Sequence, residues 1–397
     1  MEKKRRHNVF YQLLWIFSHR TLARKFNYDF ENIKVDYSPY IVVSNHVTNW
    51  DPLLIGLSFK KFMYYVATDQ VFRMGWKTKV LNFVFAPIPR SKTTQETKTV
   101  ISIFRRLNEN SNICIFAEGS TSFDGETCEI QPSIGKLVKR AGVALVTYRF
   151  TGSYLTFPRW ARFVHKGKME GRLVNIYSPE KIASMTEDEI YEAIVKDIYV
   201  SAYAEQEKNP IPFRGKNPAE YLETVLYCCP KCKQYGTLSS SDDLLSCNCG
   251  FKVRYNDYCY FEIPDGNGEP PFKTVTDWAK WQRNEIAALS VSMKNLDRSV
   301  PVFTEEDQRL IQIEKTYGSA FIAEGKLCLF NDRLSLIAQD KTVEFPFDTI
   351  IDMSSFARMT LIFSTKENKV YELYSKHPRS ALKYMDMLKA VKTNTEE

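Results

Sequence analysis

The first 210 or so residues alternate between strand and helix patterns, and this alternation constrains the fold more than any other feature of the 397-residue chain. Short runs rich in apolar, β-branched and aromatic residues occur at residues 40–44, 63–67, 112–116 and 143–148. Segments with helical spacing lie between them, at residues 52–57, 97–107 and 134–139. Strands separated by helices are typical of an α/β fold, in which helices cover a sheet.

The end of this part of the chain is also marked. Thr186-Glu187-Asp188-Glu189 has the pattern of a capping box and predicts a helix that continues to about residue 204. Asn209-Pro210-Ile211-Pro212 then interrupts helical structure. We therefore predict an α/β domain over residues 1–212.

The last hundred residues have a different sequence pattern. Short alternating runs recur at residues 320–322, 326–330, 334–337, 343–347, 359–363 and 370–374, and residues 379–391 have amphipathic helical spacing. Several strands followed by one helix are typical of a pleckstrin-homology-like barrel. We predict such a β-barrel-like domain with a closing helix over residues 301–397, preceded by a helical linker over residues 263–300.

The N-terminus is basic and partly apolar. Residues 1–30 contain seven basic and two acidic side chains, which account for +5 of the formal net charge of +7. The apolar run at residues 9–17 is shorter than the roughly 20 residues that a membrane-spanning helix needs, and no small-residue cleavage site follows it. Two interpretations fit this pattern, an interfacial helix on anionic lipid and a helix packed on the core. If the helix is interfacial, the chain is expected in the cytoplasm, attached peripherally to the cytoplasmic face of a membrane.

Five of the nine cysteines crowd into a short segment. Cys229 and Cys232 form one knuckle-like pair, Cys247 and Cys249 form another, and 14 residues separate Cys232 from Cys247. Four thiolates at such spacing can hold Zn²⁺ in a closed, structural site, so residues 220–262 are predicted to form a zinc ribbon. The second pair is CxC rather than CxxC, which departs from the usual ribbon pattern. Cys228 is an alternative to Cys229 as a ligand. An iron site with four cysteines has the same ligand set, so the sequence leaves the metal open. The polar, slightly acidic surroundings disfavour nucleic acid as a partner.

The chemistry-bearing motif follows the first predicted strand. His46 comes directly after it, and Asp51 is five positions later. Transfer of an acyl group from a thioester to an alcohol needs a base with a pKa near working pH, which a histidine supplies. A carboxylate can hold the imidazole in the required tautomer. On its own, such a pair is more often a structural hydrogen bond.

Two further segments strengthen the functional interpretation. Glu118 and Gly119 follow the strand predicted at residues 112–116, at the carboxyl end of a strand, where α/β sheets place ligand sites. Arg90 and Lys92 lie between the two motifs and carry cations suited to binding phosphate.

In order and spacing, these segments resemble the motifs of the lysophosphatidic acid acyltransferase family, the broad glycerolipid acyltransferases. Asn45-His46 with Asp51 is similar to the first motif, Ala86-Pro87-Ile88-Pro89-Arg90 to the second, and Phe116-Ala117-Glu118-Gly119 to the third. Residues 143–147 fall where the fourth would be, and the resemblance covers roughly residues 30–180.

The resemblance implies a membrane-seated α/β domain that transfers an acyl group from acyl-CoA or acyl-carrier protein to a lysolipid or glycerol phosphate hydroxyl. His46 would be the general base, oriented by Asp51. The implied substrate-binding residues are Asn45, Arg90, Lys92, Glu118, Gly119, Ser120 and Thr121. The implied partners are membrane lipids and the acyl donor.

One departure bears on the acceptor. The third motif usually continues with Thr-Arg, whereas this chain has Ser120-Thr121. The missing arginine removes one phosphate contact, so lysolipids with phosphodiester or sugar head groups are expected to compete well with lysophosphatidic acid. The same departure supports an alternative, a catalytically weak lipid-binding adaptor, against which the intact His46 and Asp51 argue.

Overall fold

The computed structural model describes residues 2–73, 76–90, 96–314 and 318–396. The chain forms two compact units, residues 1–159 with 163–216 and residues 160–162 with 217–397. The first unit contains the strands β1 (Tyr28–Phe30), β2 (Tyr40–Ser44), β3 (Met63–Thr68), β4 (Ile88–Arg90), β5 (Asn112–Phe116), β6 (Ala144–Thr151) and β7 (Met169–Tyr177). Its helices are α1 (Glu2–Phe26), α2 (Asp51–Ser58), α3 (Trp76–Val84), α4 (Glu96–Asn108), α5 (Ser133–Ala141), α6 (Ser153–Thr156), α7 (Pro179–Ser184), α8 (Glu187–Ile198) and α9 (Ala202–Lys208), with a 3-10 turn at Asp69–Arg73.

The seven strands form one sheet in the order β1-β7-β6-β2-β5-β3-β4. The central strand β2 runs parallel to both of its neighbours, and Ser44 at its end is in register with Phe116 of β5 and Tyr148 of β6. β7 is antiparallel to β6. The loops that follow β2 and β5 therefore leave the sheet at the same edge, as the α/β prediction requires.

Both faces of this sheet are buried. Ile41 and Val43 of β2 face one cluster of apolar side chains, to which α4, α5 and α8 contribute, whereas Tyr40 and Val42 face another, which includes residues of α1 and α2. Successive side chains of a strand point to opposite faces, so a strand covered on both sides is apolar throughout. This explains why residues 40–43 of β2 are all apolar or aromatic, with Ser44 at the end of the strand.

The helix predicted to run to about residue 204 is interrupted. The capping box forms at Thr186 and Glu189, but α8 ends at Ile198. The backbone of Val200 exchanges hydrogen bonds with Thr127, and the Ala202 N–H donates to the carbonyl of Gly125. These contacts with a distant loop hold residues 199–201 extended, and α9 begins after them.

The N-terminal helix packs on the core with one face, as one of the two interpretations of its sequence predicts. Tyr11 is buried and donates hydrogen bonds to the carbonyls of Gly56 and Phe59, and the Trp15 indole donates to Leu57. The opposite face of α1 exposes apolar side chains, namely Val9, Phe10, Leu13, Ile16 and Phe17. None of the described helices combines the length and apolarity needed to cross a bilayer.

The second unit begins with a small antiparallel sheet in the order β11-β10-β9-β8. Its strands are β8 (Leu238–Ser241), β9 (Leu244–Cys247), β10 (Lys252–Tyr255) and β11 (Phe261–Glu262), preceded by a 3-10 turn at Leu222–Thr224. The helix α10 (Val275–Ser292) follows, with a 3-10 turn at Met293–Asn295. α10 lies in the predicted helical linker and packs within the second unit, where the buried Trp278 and Gln282 bond to the backbone of Cys228 and Tyr227.

The rest of the second unit is a seven-stranded antiparallel sheet in the order β15-β14-β13-β12-β18-β17-β16. Its strands are β12 (Phe303–Ile313), β13 (Ser319–Leu329), β14 (Arg333–Ile337), β15 (Thr342–Pro346), β16 (Ile350–Phe356), β17 (Thr360–Thr365) and β18 (Val370–Ser375), with a 3-10 turn at Phe347–Thr349, and α11 (Ala381–Glu396) closes the unit. The prediction of strands followed by one helix is confirmed. In the described residues the sheet of this barrel-like domain is not closed, because β15 and β16 remain its two edges.

Candidate functional site

A histidine–aspartate pair occupies the carboxyl end of β2. The Nδ1 atom of His46 lies 2.8 Å from a carboxylate oxygen of Asp51. His46 belongs to the loop after β2 and Asp51 is the first residue of α2, so the turn between strand and helix brings the two together. Because Nδ1 bonds to the carboxylate, Nε2 is the ring nitrogen left to accept a proton. The His46 side chain is 20% exposed, whereas Asp51 is fully buried.

Asp51 also organises the turn that carries it. Its carboxylate accepts hydrogen bonds from the backbone N–H groups of Val47 and Thr48 and from the Thr48 hydroxyl, at 2.6–2.9 Å. These donors compensate the burial of a negative charge. The same residue therefore shapes the loop and fixes the imidazole.

The ring of His46 is held from a second strand. It stacks on Phe116, the last residue of β5, with ring centroids 4.4 Å apart. The backbone N–H of His46 donates to one carboxylate oxygen of Glu118. The other oxygen of Glu118 accepts the backbone N–H of Cys128. Burial raises the pKa of Glu118 to about 8. The two hydrogen bonds lower this pKa, but burial is the larger effect. Glu118 thus contacts the backbone of the candidate base.

Asn45 is engaged with the neighbouring strand. Its amide donates to the carbonyl of Phe150 and accepts the N–H of the same residue, at 3.0 and 2.8 Å. The side chain is buried. These bonds fix the start of the His46 loop to β6, so the contacts in the structure give Asn45 an anchoring position, and its role in substrate binding stays a prediction.

Arg90 lies close to Gly119. A Cβ atom on Gly119 would lie 2.9 Å from a guanidinium nitrogen of Arg90, and the φ angle of Gly119 is +67°. Both facts favour glycine, which tolerates positive φ and has no side chain to fill the space. The predicted phosphate ligand Lys92 lies outside the described residues.

The loop after Gly119 contacts an arginine that the sequence motifs do not mark. A guanidinium nitrogen of Arg159 lies 3.1 Å from the carbonyl oxygen of Thr121 and 3.5 Å from the Ser120 hydroxyl. Arg159 is 38 residues away along the chain from Thr121. Spacing along the sequence carries no signal for such a contact.

The four predicted metal ligands converge in the second unit. The sulfur atoms of Cys229, Cys232, Cys247 and Cys249 all lie within 4.8 Å of one another. Two of the sulfur–sulfur distances are 3.7 and 3.8 Å. A tetrahedron with metal–sulfur bonds of about 2.3 Å has edges of about 3.8 Å, so the cluster fits a tetrahedral metal ion.

Cys228 is separate from this group. Its thiol points to the carbonyl of Lys233, at 3.7 Å, and its own carbonyl accepts the indole N–H of Trp278. The group of converging sulfur atoms therefore includes Cys229 and leaves out its neighbour Cys228.

Solved structures of three proteins align with parts of the chain. The 1-acyl-sn-glycerophosphate (LPA) acyltransferase PlsC from Thermotoga maritima aligns at 20% identity over 50% of this chain and 80% of its own, with a TM-score of 0.40. Dcp1p aligns at 9% identity over 26% of this chain and 94% of its own, with a TM-score of 0.21. Inner Membrane Complex Sub-compartment Protein 3 from Toxoplasma gondii aligns at 12% identity over 28% and 86%, with a TM-score of 0.19. All three TM-scores are below 0.5.

A protein-family model is more informative. The model described as Acyltransferase matches residues 25–151, which include His46, Asp51, Arg90 and Glu118. This stretch of the first unit is therefore similar to the Acyltransferase family, and it contains the loops that follow β2 and β5.

Proposed function

We propose that this protein is an O-acyltransferase that moves a fatty acyl group from acyl-CoA or acyl-carrier protein to the hydroxyl of a lysophospholipid or related glycerolipid. The observation that carries the proposal is the His46–Asp51 pair, whose geometry leaves Nε2 as the proton acceptor in an acyltransferase domain. The family match supports acyl transfer, and the identity of donor and acceptor is part of the proposal.

In the proposed reaction, Nε2 of His46 takes the proton of the acceptor hydroxyl as its oxygen attacks the thioester carbonyl. Asp51 stabilises the imidazolium that forms. When the tetrahedral intermediate collapses, the carbon–sulfur bond breaks and the proton passes from His46 to the departing thiolate. The products are the ester and the free thiol carrier, with no covalent acyl-enzyme and no catalytic metal.

We infer that α1 attaches the protein to a membrane surface. Val9, Leu13, Ile16 and Phe17 are spaced three, four or one residue apart, so they form one exposed apolar face, and Phe17 is 79% exposed. Exposed Arg20 continues this face toward the end of the helix. An apolar face next to basic side chains suits an anionic lipid surface.

We also infer that the four-cysteine cluster binds one structural Zn²⁺. Four thiolate ligands saturate a tetrahedral ion and leave no position for substrate. The hydroxyl of Thr237 lies 3.2 Å from the sulfur of Cys247, where it can support that ligand.

Turnover of purified protein with labelled acyl-CoA and a panel of lysolipids tests the acyl-transfer proposal. His46→Ala should lower kcat/KM by about 10²–10⁴, the usual contribution of a positioned base. A matched control is His377→Ala, because His377 also lies near an aspartate, Asp307, but is exposed and belongs to the second unit. Lipid binding without turnover by the unaltered protein would favour the adaptor alternative, and equal rates in wild type and His46→Ala would refute the assignment of the base.

A further inference from the structure

Trp50 lies in the turn between His46 and Asp51 and directly precedes α2. We propose that Trp50 is a positioning residue of the acyl-transfer site, and that it links α1 to the turn that carries the candidate base. This inference rests on the proposed function, because it assigns a role in that reaction to a side chain outside the His46–Asp51 pair.

The start of α2 does not explain why residue 50 is a tryptophan. The Trp50 carbonyl accepts the backbone N–H groups of Leu53 and Leu54, both at 2.9 Å, so this residue occupies the N-cap position. Serine, threonine, aspartate and asparagine are preferred there, because their short polar side chains can accept a free N–H of the first turn. Within the described part of the chain, the Trp50 side chain makes no such bond. Its ring has a different set of partners.

The ring of Trp50 faces the last turn of α1. The Nζ atom of Lys25 lies over this ring, 3.8 Å from its centroid, and the centroid of the Phe26 ring is 5.6 Å away. Phe26 is completely buried, whereas Lys25 is exposed. Tryptophan provides the strongest cation–π surface of the aromatic residues. One buried ring and one cation therefore hold the indole against α1.

α1 also contacts the opposite end of α2. The Tyr11 hydroxyl oxygen lies 2.5 and 2.9 Å from the carbonyl oxygens of Gly56 and Phe59, and the Trp15 indole donates to the carbonyl of Leu57 at 3.1 Å. A Cβ atom on Gly56 would lie 2.7 Å from the Tyr11 hydroxyl, so the close approach of the two helices requires glycine here. α2 is thus fixed to α1 at both of its ends.

The backbone of Trp50 connects these contacts to the candidate base. Its N–H donates to the Thr48 hydroxyl oxygen at 3.1 Å, and the Thr48 hydroxyl donates to Asp51 at 2.7 Å. The Asp51 carboxylate in turn bonds to Nδ1 of His46. A tilt of Trp50 would therefore move the donors around Asp51, and a displacement of about 1 Å at a reacting group can cost about a hundredfold in rate.

Two competing explanations give different results. If Trp50 contacts a substrate, its loss should change KM or the order of preference among acceptors, whereas loss of a positioning residue should lower kcat by a similar factor for every acceptor. If Trp50 only stabilises the fold, its loss should weaken the whole first unit. The test measures kcat and KM of Trp50→Ala with acyl-CoA and lysolipids in detergent micelles, so that attachment to vesicles does not affect the rate.

We expect Trp50→Ala to lower kcat by about ten- to a hundredfold with little change in KM. Trp50→Phe should restore most of the activity, because a phenyl ring also binds a cation over its face. If Trp50→Ala fails to fold, Trp50→Leu replaces it with the same expectations, since leucine fills part of the space without a π face. A change confined to KM, or wild-type kcat in the folded variant, would overturn the proposal.

The matched control for loss of an indole is Trp281→Ala. Trp281 is also partly buried and packs against a phenylalanine ring, that of Phe272, but it belongs to the second unit. This variant should leave kcat unchanged. A loss of kcat equal to that in Trp50→Ala would show that any removed indole has this effect, and would overturn the proposal.

A double-mutant cycle tests the contact between Lys25 and Trp50. Lys25→Met should lower kcat by about two- to fivefold, the range of one exposed cation–π contact, and should have no further effect when residue 50 is already alanine. Arg24→Met is the matched control, because Arg24 is the exposed neighbour of Lys25 in the last turn of α1 and its replacement removes the same charge. Equal effects of Lys25→Met in the two backgrounds, or an equal loss in Arg24→Met, would overturn the proposal.

Hydrogen exchange needs no turnover, so it separates failure of this inference from failure of the proposed function. The backbone N–H groups of Val47 and Thr48 bond to Asp51 and should exchange faster in Trp50→Ala, with protection outside residues 45–58 unchanged. This local change in a protein that transfers acyl groups to no acceptor would reject the proposed function but support the link between α1 and the turn. Unchanged exchange at the turn, or a uniform rise over the first unit, would overturn the proposal whether or not the wild type is active.

Discussion

At the scale of single residues, Asp51 combines two tasks that are usually assigned to separate groups. One carboxylate oxygen meets the imidazole of His46 and the backbone N–H groups of Val47 and Thr48, and the other meets the Thr48 hydroxyl. Four donors therefore converge on one buried anion. Removing its charge affects both the candidate base and the turn that positions it.

Asp51→Asn should consequently reduce both turnover and stability. An asparagine has one acceptor oxygen, and its amide would face donors that now bond to a carboxylate, leaving at least one buried group unsatisfied at a cost of about 1–3 kcal/mol. Measurement of kcat and of urea unfolding on the same preparation checks both effects. Loss of activity with wild-type stability would show that the turn does not depend on the carboxylate, and retention of both would refute the roles given to Asp51.

Glu118 provides a prediction about pH. Burial raises its pKa from the ordinary 4.5 to about 8, so the folded protein holds this proton at pH values where the unfolded chain has released it. The stability that this group contributes is fully present below about pH 4.5 and is lost as the pH rises toward about 8. Glu118→Gln removes the titration. We expect its free energy of unfolding to fall less steeply than that of wild type between about pH 4.5 and 8, measured by urea unfolding at several pH values. Identical slopes in the two proteins would contradict the raised pKa.

At the scale of elements, α1 has one packed face and one exposed apolar face. Its buried face places Tyr11 and Trp15 against the backbone of α2, whereas the opposite face exposes large apolar side chains. Both faces are rich in apolar and aromatic residues, so the sequence pattern alone could not separate a packed helix from an interfacial one. The structure contains both features in the same 25 residues.

The exposed face of α1 should control membrane attachment. Phe17→Glu should weaken binding to anionic vesicles by about ten- to a hundredfold, because burial of such a side chain contributes about 1.5–3 kcal/mol. Folding should not change, since Phe17 is 79% exposed. Vesicle co-sedimentation measures the binding, with Val291→Glu as a control on an exposed apolar residue of α10. Equal loss of binding in both variants, or none in Phe17→Glu, would argue against α1 as the attachment site.

The break between α8 and α9 is also decided by contacts between elements. The residues around it have helical spacing, and local propensity favours continuation. The extended conformation of residues 199–201 is decided by hydrogen bonds to Gly125 and Thr127, more than 70 positions earlier. A prediction from neighbouring residues could find the start of the helix at its capping box but not its interruption.

At the scale of the whole molecule, the second unit joins the cysteine segment to the C-terminal sheet. The Tyr227 hydroxyl donates to Asp386 of α11, and Lys233, which directly follows Cys232, pairs with Glu285 of α10. The cysteine segment is therefore packed within the same unit as the C-terminal helix. We therefore expect loss of the metal to lower the stability of the whole second unit.

Purified protein should contain about one metal ion per chain, and Cys232→Ser should lower metal content and the melting temperature together. A ligand present at a thousandfold above its Kd stabilises the folded state by about 4 kcal/mol, which sets the scale of the loss. Cys228→Ser is the matched control, since its neighbour Cys229 belongs to the cluster and Cys228 does not. Elemental analysis also distinguishes zinc from iron. Metal-free protein whose melting is unaffected by chelators would refute the site.

The sequence by itself determined the features that depend on residues close together in the chain. Strand and helix periodicities predicted the α/β class and four of the seven strands of the first unit, because burial on one or both faces imposes its period directly on neighbouring residues. His46 and Asp51 are five residues apart, and the cysteines of each pair are two or three apart, so a single turn suffices to bring each set together. Such short-range groupings can be recognised before any fold is known.

Only the tertiary structure decided which distant residues share a site. Arg159 reaches Thr121 across 38 residues, and Glu118 reaches the backbone of His46 across 72. These contacts depend on strand order and on the paths of loops, which are set by the packing of the whole sheet rather than by local propensity. The same reason applies to the open edges of the C-terminal sheet, since strand patterns show that strands exist but not whether the first and last of them pair.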